Sequence, residues 1–201
     1  MASGARPQRF PASGPPNPAN ARTVAEVDLS GSGVGGGNSS LVENTLFNFT
    51  LAQSRALKIA FDADIYLRTI LTSNTKNGSS ASATSNLSFN LFDRTTNFKV
   101  FSWTPDGTPG GIFGGIENLD PINLNDSLTA LIPGDNFVRN AGVNSFLATS
   151  FVIPTGSYQF VVSHVVSANG TQVVPEPETL LLAGVGFIGV ALTRRRAKRA
   201  V

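Results

Sequence analysis

Residues 57–71 read LKIAFDADIYLRTIL, and apolar residues alternate with polar ones along this stretch. One parity carries Leu57, Ile59, Phe61, Ala63, Ile65, Leu67 and Leu71, and the other carries Lys58, Asp62, Asp64, Tyr66 and Arg68. Successive side chains of a β-strand point to opposite faces, so this period of two predicts a strand with one face on a core and one in water. The stretch is long enough for one long strand or for two strands that share a bend.

Two hairpins are predicted on the C-terminal side of this strand. Residues 87–91 and 98–103 are strand-like and flank the polar turn residues 93–97. Residues 146–153 and 158–166 are also strand-like, and Pro154, Thr155 and Gly156 separate them by the short distance that joins antiparallel strands. Short strands with frequent turns and no helical period favour a mostly β fold, with an antiparallel β-sandwich body over residues 41–170.

The N-terminal 40 residues have a different composition. They hold five of the 12 prolines and a glycine-rich run at residues 31–37. Such a segment buries too little apolar area to offset its ordering entropy, so residues 1–40 are predicted to be disordered. They contain no apolar run of the length found in signal peptides, and no signal peptide is predicted there.

Composition excludes several functional classes. The chain has 201 residues, no cysteine, and a single histidine, His164. This excludes disulfides, thiolate metal sites and a cysteine nucleophile, and a serine triad is disfavoured because no G-x-S-x-G motif occurs. The formal net charge is +2, but five of the 15 cations lie after residue 193 and the preceding residues carry 10 basic and 13 acidic side chains, a net of −3. No basic face is left for nucleic acid, and we expect neither a cofactor nor an enzymatic activity.

The segment 171–201 contains an apolar stretch bounded by charge. Residues 179–193 read TLLLAGVGFIGVALT, with Glu176 and Glu178 before them. Five cations follow: Arg194, Arg195, Arg196, Lys198 and Arg199. A helix of this length spans about 22 Å, and Lys and Arg side chains that reach the membrane surface lengthen a short span. Because cations are retained on the cytoplasmic side, we predict a single transmembrane helix from Leu180 to Leu192, a stop-transfer role for the cations, and the body outside the cytoplasm.

The order Pro175-Glu176-Pro177, apolar span and Arg-rich cluster resembles the PEP-CTERM sorting signal of bacterial proteins. The resemblance implies that an exosortase-type enzyme recognises Pro175, Glu176 and Pro177 and cleaves nearby. It also implies residence in the inner membrane before cleavage, and release to the cell surface or extracellular matrix afterwards. Exopolysaccharide is a further candidate partner. The stretches FDADIYLR, FSW, PDG and PTGSYQFVVSH look like the β-rich exported domains that accompany such tails.

Three ligand hypotheses remain open for the body, beside a purely structural or adhesive role. Asp62 and Asp64 share a strand face, and Asp120 and Asp126 lie with Asn123 and Asn125 in a predicted loop. Either group could supply oxygen ligands to calcium, or could be ordinary solvated side chains. Trp103, Phe98 and Phe101 could stack on a sugar or belong to the core. Two close carboxylates in a pocket would instead favour a secreted hydrolase.

Overall fold

The computed structural model describes residues 6–9, 19–29 and 36–173. These residues form strands and connecting loops. The strands are β1 (Arg6–Arg9), β2 (Ala19–Leu29), β3 (Gly36–Leu51), β4 (Lys58–Leu71), β5 (Ser80–Asp93), β6 (Lys99–Trp103), β7 (Gly115–Leu119), β8 (Asp126–Ala130), β9 (Asn136–Asn140), β10 (Asn144–Ser150) and β11 (Gly156–Thr171). Within the described ranges, no helix has the length and apolar character needed to cross a bilayer. The predicted helix from Leu180 to Leu192 lies outside them.

The strands form two sheets. The first has the order β1-β2-β4-β10-β7, and β9 also pairs with β4. The second has the order β3-β11-β5-β6, and β8 also pairs with β5. The mostly β fold is therefore confirmed. The pairing is not wholly antiparallel as predicted, because β2 runs parallel to β4 from Ala19↔Phe61 to Leu29↔Leu71.

The strand predicted from residues 57–71 is confirmed as β4, one continuous strand. Phe61, Ala63, Ile65, Leu67 and Leu71 are all buried, on the predicted parity. The ring of Phe61 lies 4.9 Å from that of Phe89 in the second sheet and 5.6 Å from that of Trp103. These contacts join the two sheets face to face through one aromatic core.

The first predicted hairpin is confirmed as β5 and β6. Phe89 pairs with Trp103, and Leu91 pairs with Phe101. The turn closes through a hydrogen bond from the Asp93 N–H to the Phe98 carbonyl, 2.8 Å long. The Asp93 carboxylate also accepts the Thr95 N–H at 2.7 Å, the local bond that makes Asp a turn residue.

The second predicted hairpin is wrong. β10 pairs with β4 and β7 in the first sheet, whereas β11 pairs with β3 and β5 in the second. Residues 154–156 therefore carry the chain from one sheet to the other. Ile153 forms a bridge with Arg55 before this corner, and the buried Tyr158 donates its hydroxyl to the Pro154 carbonyl at 2.9 Å. The same local turn residues suit a hairpin and a corner, so sequence did not separate them.

The prediction of disorder over residues 1–40 is wrong where the structure describes them. β1 and β2 pair with each other, and β3 already begins at Gly36. Ala25, Val27 and Leu29 of β2 are buried, and they alternate with the polar Glu26 and Asp28. The alternation is short and lies between a proline-rich and a glycine-rich stretch. The prediction of disorder was based on the composition of these stretches and missed the strand between them.

Candidate functional site

The predicted acidic residues do not converge on a metal site. Asp62 lies on the outer parity of β4, where its Oδ1 accepts the Ser145 hydroxyl at 2.6 Å, and Asp64 shares that parity. Asp126 forms an ion pair with Arg139, with an Nη1–Oδ2 distance of 2.8 Å. In the described part of the chain, no three His, Asp or Glu side chains are grouped so as to hold a metal ion. Calcium binding through Asp62, Asp64, Asp120 or Asp126 stays a hypothesis, and the described residues provide no grouped ligand set for it.

Asp120 and Glu117 fasten the loop between β6 and β7. Asp120 Oδ2 accepts the backbone N–H groups of Asp106 at 2.8 Å and Gly107 at 2.9 Å. Glu117 accepts the indole N–H of Trp103 on one oxygen and the Gly110 N–H, at 2.9 Å, on the other. These two carboxyl groups therefore hold a loop rich in Pro and Gly against the core.

The pKa of the Asp120 carboxyl group is raised. Its partial burial raises its pKa to about 6, the neighbouring Glu117 carboxyl acts in the same direction, and the Gly107 and Asp106 N–H bonds oppose the rise. Acids with such a raised pKa occur in glycosidases, where they flank an open cleft. Here three of the four carboxyl oxygens accept hydrogen bonds from the loop or from Trp103, and the fourth, Asp120 Oδ1, is buried. The pair is built to support the loop.

Of the two alternatives for Trp103, Phe101 and Phe98, the structure supports the core for the first two. Trp103 and Phe101 are buried in the core, with relative exposures of 1% and 0%. Phe98 is 75% exposed and lies alone of the three at the β5–β6 turn. His164 lies in β11 on the parity of Tyr158, and burial lowers its pKa.

An apolar groove opens at one edge of the two sheets. It has a volume of about 320 Å³ and is lined by Phe47, Phe49, Leu51, Arg55, Leu57, Lys58, Ile59 and Phe160. β3 is the edge strand of its sheet, so its inward-facing side chains are only partly covered. Phe47 in particular is 55% exposed, although it shares the inward parity with the buried Leu51. The groove presents aromatic rings to solvent.

The charged side chains in the lining of the groove are positive. Arg55 and Lys58 are exposed in its lining, and no carboxylate lines it among the residues that the structure describes. Phe49 is positioned by Tyr158, whose ring centroid lies 5.9 Å away. Flat apolar surfaces beside cations suit a ligand that combines an apolar face with negative charge. Sequence reasoning missed this groove because its residues come from β3, β4, β11 and the β3–β4 connection.

The sequence-predicted sorting residues follow the described strands. β11 ends at Thr171, and the Val173 N–H donates to the Ser79 hydroxyl at 3.1 Å. Pro175, Glu176, Pro177, the span from Leu180 to Leu192 and the five cations from Arg194 to Arg199 lie outside the described residues.

Comparison with protein families matches residues 173–196 to the PEP-CTERM protein-sorting motif. The chain carries a PEP-CTERM sorting signal. The match covers the Pro-Glu-Pro residues, the apolar span and the first three arginines, whereas Lys198 and Arg199 lie beyond it. The PEP-CTERM signal supports exosortase-dependent sorting of an exported protein.

No curated protein matches the chain. Among solved structures, the chain is similar to PliG of Aeromonas hydrophila, a periplasmic inhibitor of g-type lysozyme, with 12% identity, a TM-score of 0.19 and coverage of 76% of this chain and 100% of that one. It is also similar to a structure of infectious bursal disease virus Gt strain, with 14% identity, a TM-score of 0.17 and coverage of 85% and 46%. Neither similarity is close enough to bear on fold family or function.

Proposed function

We propose that this PEP-CTERM protein is exported and held in the inner membrane by residues 180–192, with its β body outside the cytoplasm. The cations from Arg194 to Arg199 act as the cytoplasmic stop. An exosortase-type enzyme then cleaves near Pro175, Glu176 and Pro177, and the body passes to the cell surface or extracellular matrix. The observation that carries this proposal is the sorting motif at residues 173–196.

The place of the motif in the fold suits removal. β11 is paired with β3 from Gly156 to Thr171 and with β5 from Tyr158 to Thr171, so its C-terminal end is paired on both sides. The motif begins only after this strand, so cleavage within it takes away no residue of the described strands. Pro175 and Pro177 fix φ and disfavour helix in the residues before them, which favours an extended segment accessible to an enzyme.

For the body we propose a structural or adhesive role without enzymatic activity. The acid pair at Glu117 and Asp120 is occupied in holding its own loop, and among the described residues no carboxylate lines the apolar groove. The body also exposes apolar side chains along edge strand β3, including Val42 and Leu46. Exposed apolar positions on an unpaired strand edge are typical of surfaces that meet other molecules.

The groove favours a second candidate function, binding of an acidic carbohydrate such as an exopolysaccharide. The rings of Phe47 and Phe160 could stack on the apolar faces of sugar rings, and Arg55 and Lys58 could pair with uronate groups. This role would be delivered by the same sorting signal.

Processing is tested by intact-mass analysis of protein recovered separately from the membrane and the medium of the native host. The expected result is a full-length membrane form and a medium form that lacks the residues beyond the motif. Replacing Pro175, Glu176 and Pro177 together by Ala should leave the membrane form and abolish the medium form, whereas the control F98A at the exposed turn should be processed normally. Normal processing of the triple variant, or confinement of the full chain to the cytoplasm, would refute the sorting assignment.

Carbohydrate binding is tested by co-sedimentation with the host's acidic polysaccharide and with a neutral glucan. The variant carrying F47A and R55Q should lose binding to the acidic polymer. The control variant carrying F98A and K99Q removes an exposed ring and a cation away from the groove and should bind normally. Equal binding by both variants would exclude the groove as the carbohydrate site.

A further inference from the structure

A rigid turn presents two apolar side chains at one end of the body. Ile132, Pro133, Gly134 and Asp135 form it, and the Asp135 N–H donates to the Ile132 carbonyl at 2.9 Å. Gly134 has a φ of +98°, which with proline before it is the pattern of a type II turn. The preceding Leu131 is 60% exposed, and Ile132 is 67% exposed. We call Leu131 and Ile132 the apolar tip.

The apolar tip is held firmly to the sheets. Asp135 Oδ2 accepts the N–H groups of Leu131 at 3.0 Å and Ile132 at 2.9 Å. The Gly134 N–H donates to the Leu71 carbonyl at 2.7 Å, and the Leu71 N–H donates to the Asp135 carbonyl at 2.9 Å. Two large apolar side chains are therefore kept in water by a turn with few alternative conformations.

The apolar tip lies at the end of the body where β11 ends. Ala130 pairs with Ala81, which pairs with Gly170, so two inter-strand steps of roughly 4.8 Å separate the base of the tip from the end of β11. The turn that bears Phe98 lies at the other end, because Asp93 pairs with Tyr158. The rise of a strand places Tyr158 and Thr171 about 40 Å apart.

The tail limits how far this end can be from a membrane. Six residues lie between Val173 and Leu180, where the apolar span begins, so seven Cα–Cα steps join the two. Fully extended, they reach about 25 Å at most. Val173 is itself tied to Ser79, so the tether starts at the surface of the body. With the tail embedded, the end that bears the apolar tip lies close to the bilayer, and the Phe98 turn can lie far from it.

We propose that the apolar tip inserts into the interfacial region of the phospholipid bilayer that holds the tail. This proposal rests on the proposed membrane anchoring. Lys76 is exposed in the loop that precedes β5 at the same end, and its ammonium group suits anionic lipid headgroups. The tip and the tail make a two-point contact, which keeps the sorting motif between the body and the membrane surface until cleavage.

The full chain suits a site-specific test because it contains no cysteine. An environment-sensitive fluorophore is attached at I132C, at L131C in a second sample, and at F98C as the matched exposed control. Each labelled chain is reconstituted through its tail into vesicles of phosphatidylethanolamine and phosphatidylglycerol, with and without nitroxide-labelled phospholipid. The probes at positions 131 and 132 should shift to shorter wavelength and lose fluorescence to the nitroxide, and the probe at position 98 should do neither.

The outcomes separate the two proposals. Chains that sediment with the vesicles but keep the probes at 131 and 132 in water overturn tip insertion and leave anchoring intact. Equal quenching at 132 and 98 also overturns it, because the body then lies flat on the bilayer. Chains that do not sediment with the vesicles overturn the anchoring and, with it, the insertion that depends on it.

Discussion

The carboxyl group of Asp120 lies within hydrogen-bonding reach of the carboxyl group of Glu117, and both are fastened to backbone N–H groups of the same loop. Partial burial disfavours the ionised form of Asp120, and the nearby Glu117 carboxyl group adds to this penalty. These effects raise the pKa of Asp120 to about 6. The loop between β6 and β7 is thus fixed in part by a carboxyl group, that of Asp120, whose pKa is raised to about 6.

This acid pair predicts a pH-dependent stability. The pKa of Asp120 is raised in the folded state, so between about pH 4 and pH 6 the folded chain binds more protons than the unfolded chain. The contribution of Asp120 to the free energy of unfolding is therefore largest below about pH 4 and is lost as the pH rises through 6. D120N removes this titration and lets an amide donate to Glu117.

Urea denaturation of D120N and the wild-type chain across this pH range checks the prediction. The free energy of unfolding of D120N minus that of the wild-type chain should increase as the pH rises from about 4 to about 6. Above about pH 6 this difference should stay constant. A difference for D120N that does not vary with pH would contradict the prediction.

The parts of the fold that sequence predicted are those encoded by local pattern. β4 follows from alternation over residues 57–71, and the β5–β6 hairpin follows from two alternating runs around polar turn residues. The corner after β10 and the parallel pairing of β2 with β4 depend on partners distant in the chain. Hydrophobic periodicity predicts that a segment is a strand, but it does not identify the strand with which it pairs. The same holds for the groove, where Phe47 meets Phe160 only because β3 pairs with β11. The sorting motif is contiguous in sequence, so it could be recognised without knowledge of the fold.

β2 should contribute to the stability of the body although it lies between a proline-rich and a glycine-rich stretch. Val27 is 2% exposed and packs in a cluster that includes Leu29, Leu71 and Ala168. V27A removes buried methyl groups and should lower the free energy of unfolding by about 1–3 kcal/mol. E26A, at the neighbouring position of opposite parity, should change it by about 0.5 kcal/mol or less. Equal and negligible effects in thermal or urea unfolding would mean that β2 does not pack on the body.

Gly114 should be intolerant of any side chain. It has a φ of +72°, and an added Cβ would lie 2.0 Å from the Val100 carbonyl oxygen. Gly142 has a similar φ of +69° but open space around the added atom. G142A should therefore cost only the left-handed strain, about 1–2 kcal/mol, and G114A should cost distinctly more because backbone must move. Equal losses in urea denaturation would show that the Val100 contact relaxes freely.

Removal of the sorting signal should leave the stability of the body unchanged. A chain that stops at Val173 keeps all of β11 and the hydrogen bond from Val173 to Ser79, so its thermal unfolding midpoint should match that of the full chain. A chain that stops at Val165 lacks the buried Val166 and Ala168 and leaves β3 and β5 without their shared partner over six register positions, from Val166 to Thr171. That chain should not fold cooperatively. If the chain ending at Val173 unfolded at a clearly lower temperature, the residues beyond it would belong to the fold, and cleavage at the motif would release a destabilised protein instead of a finished one.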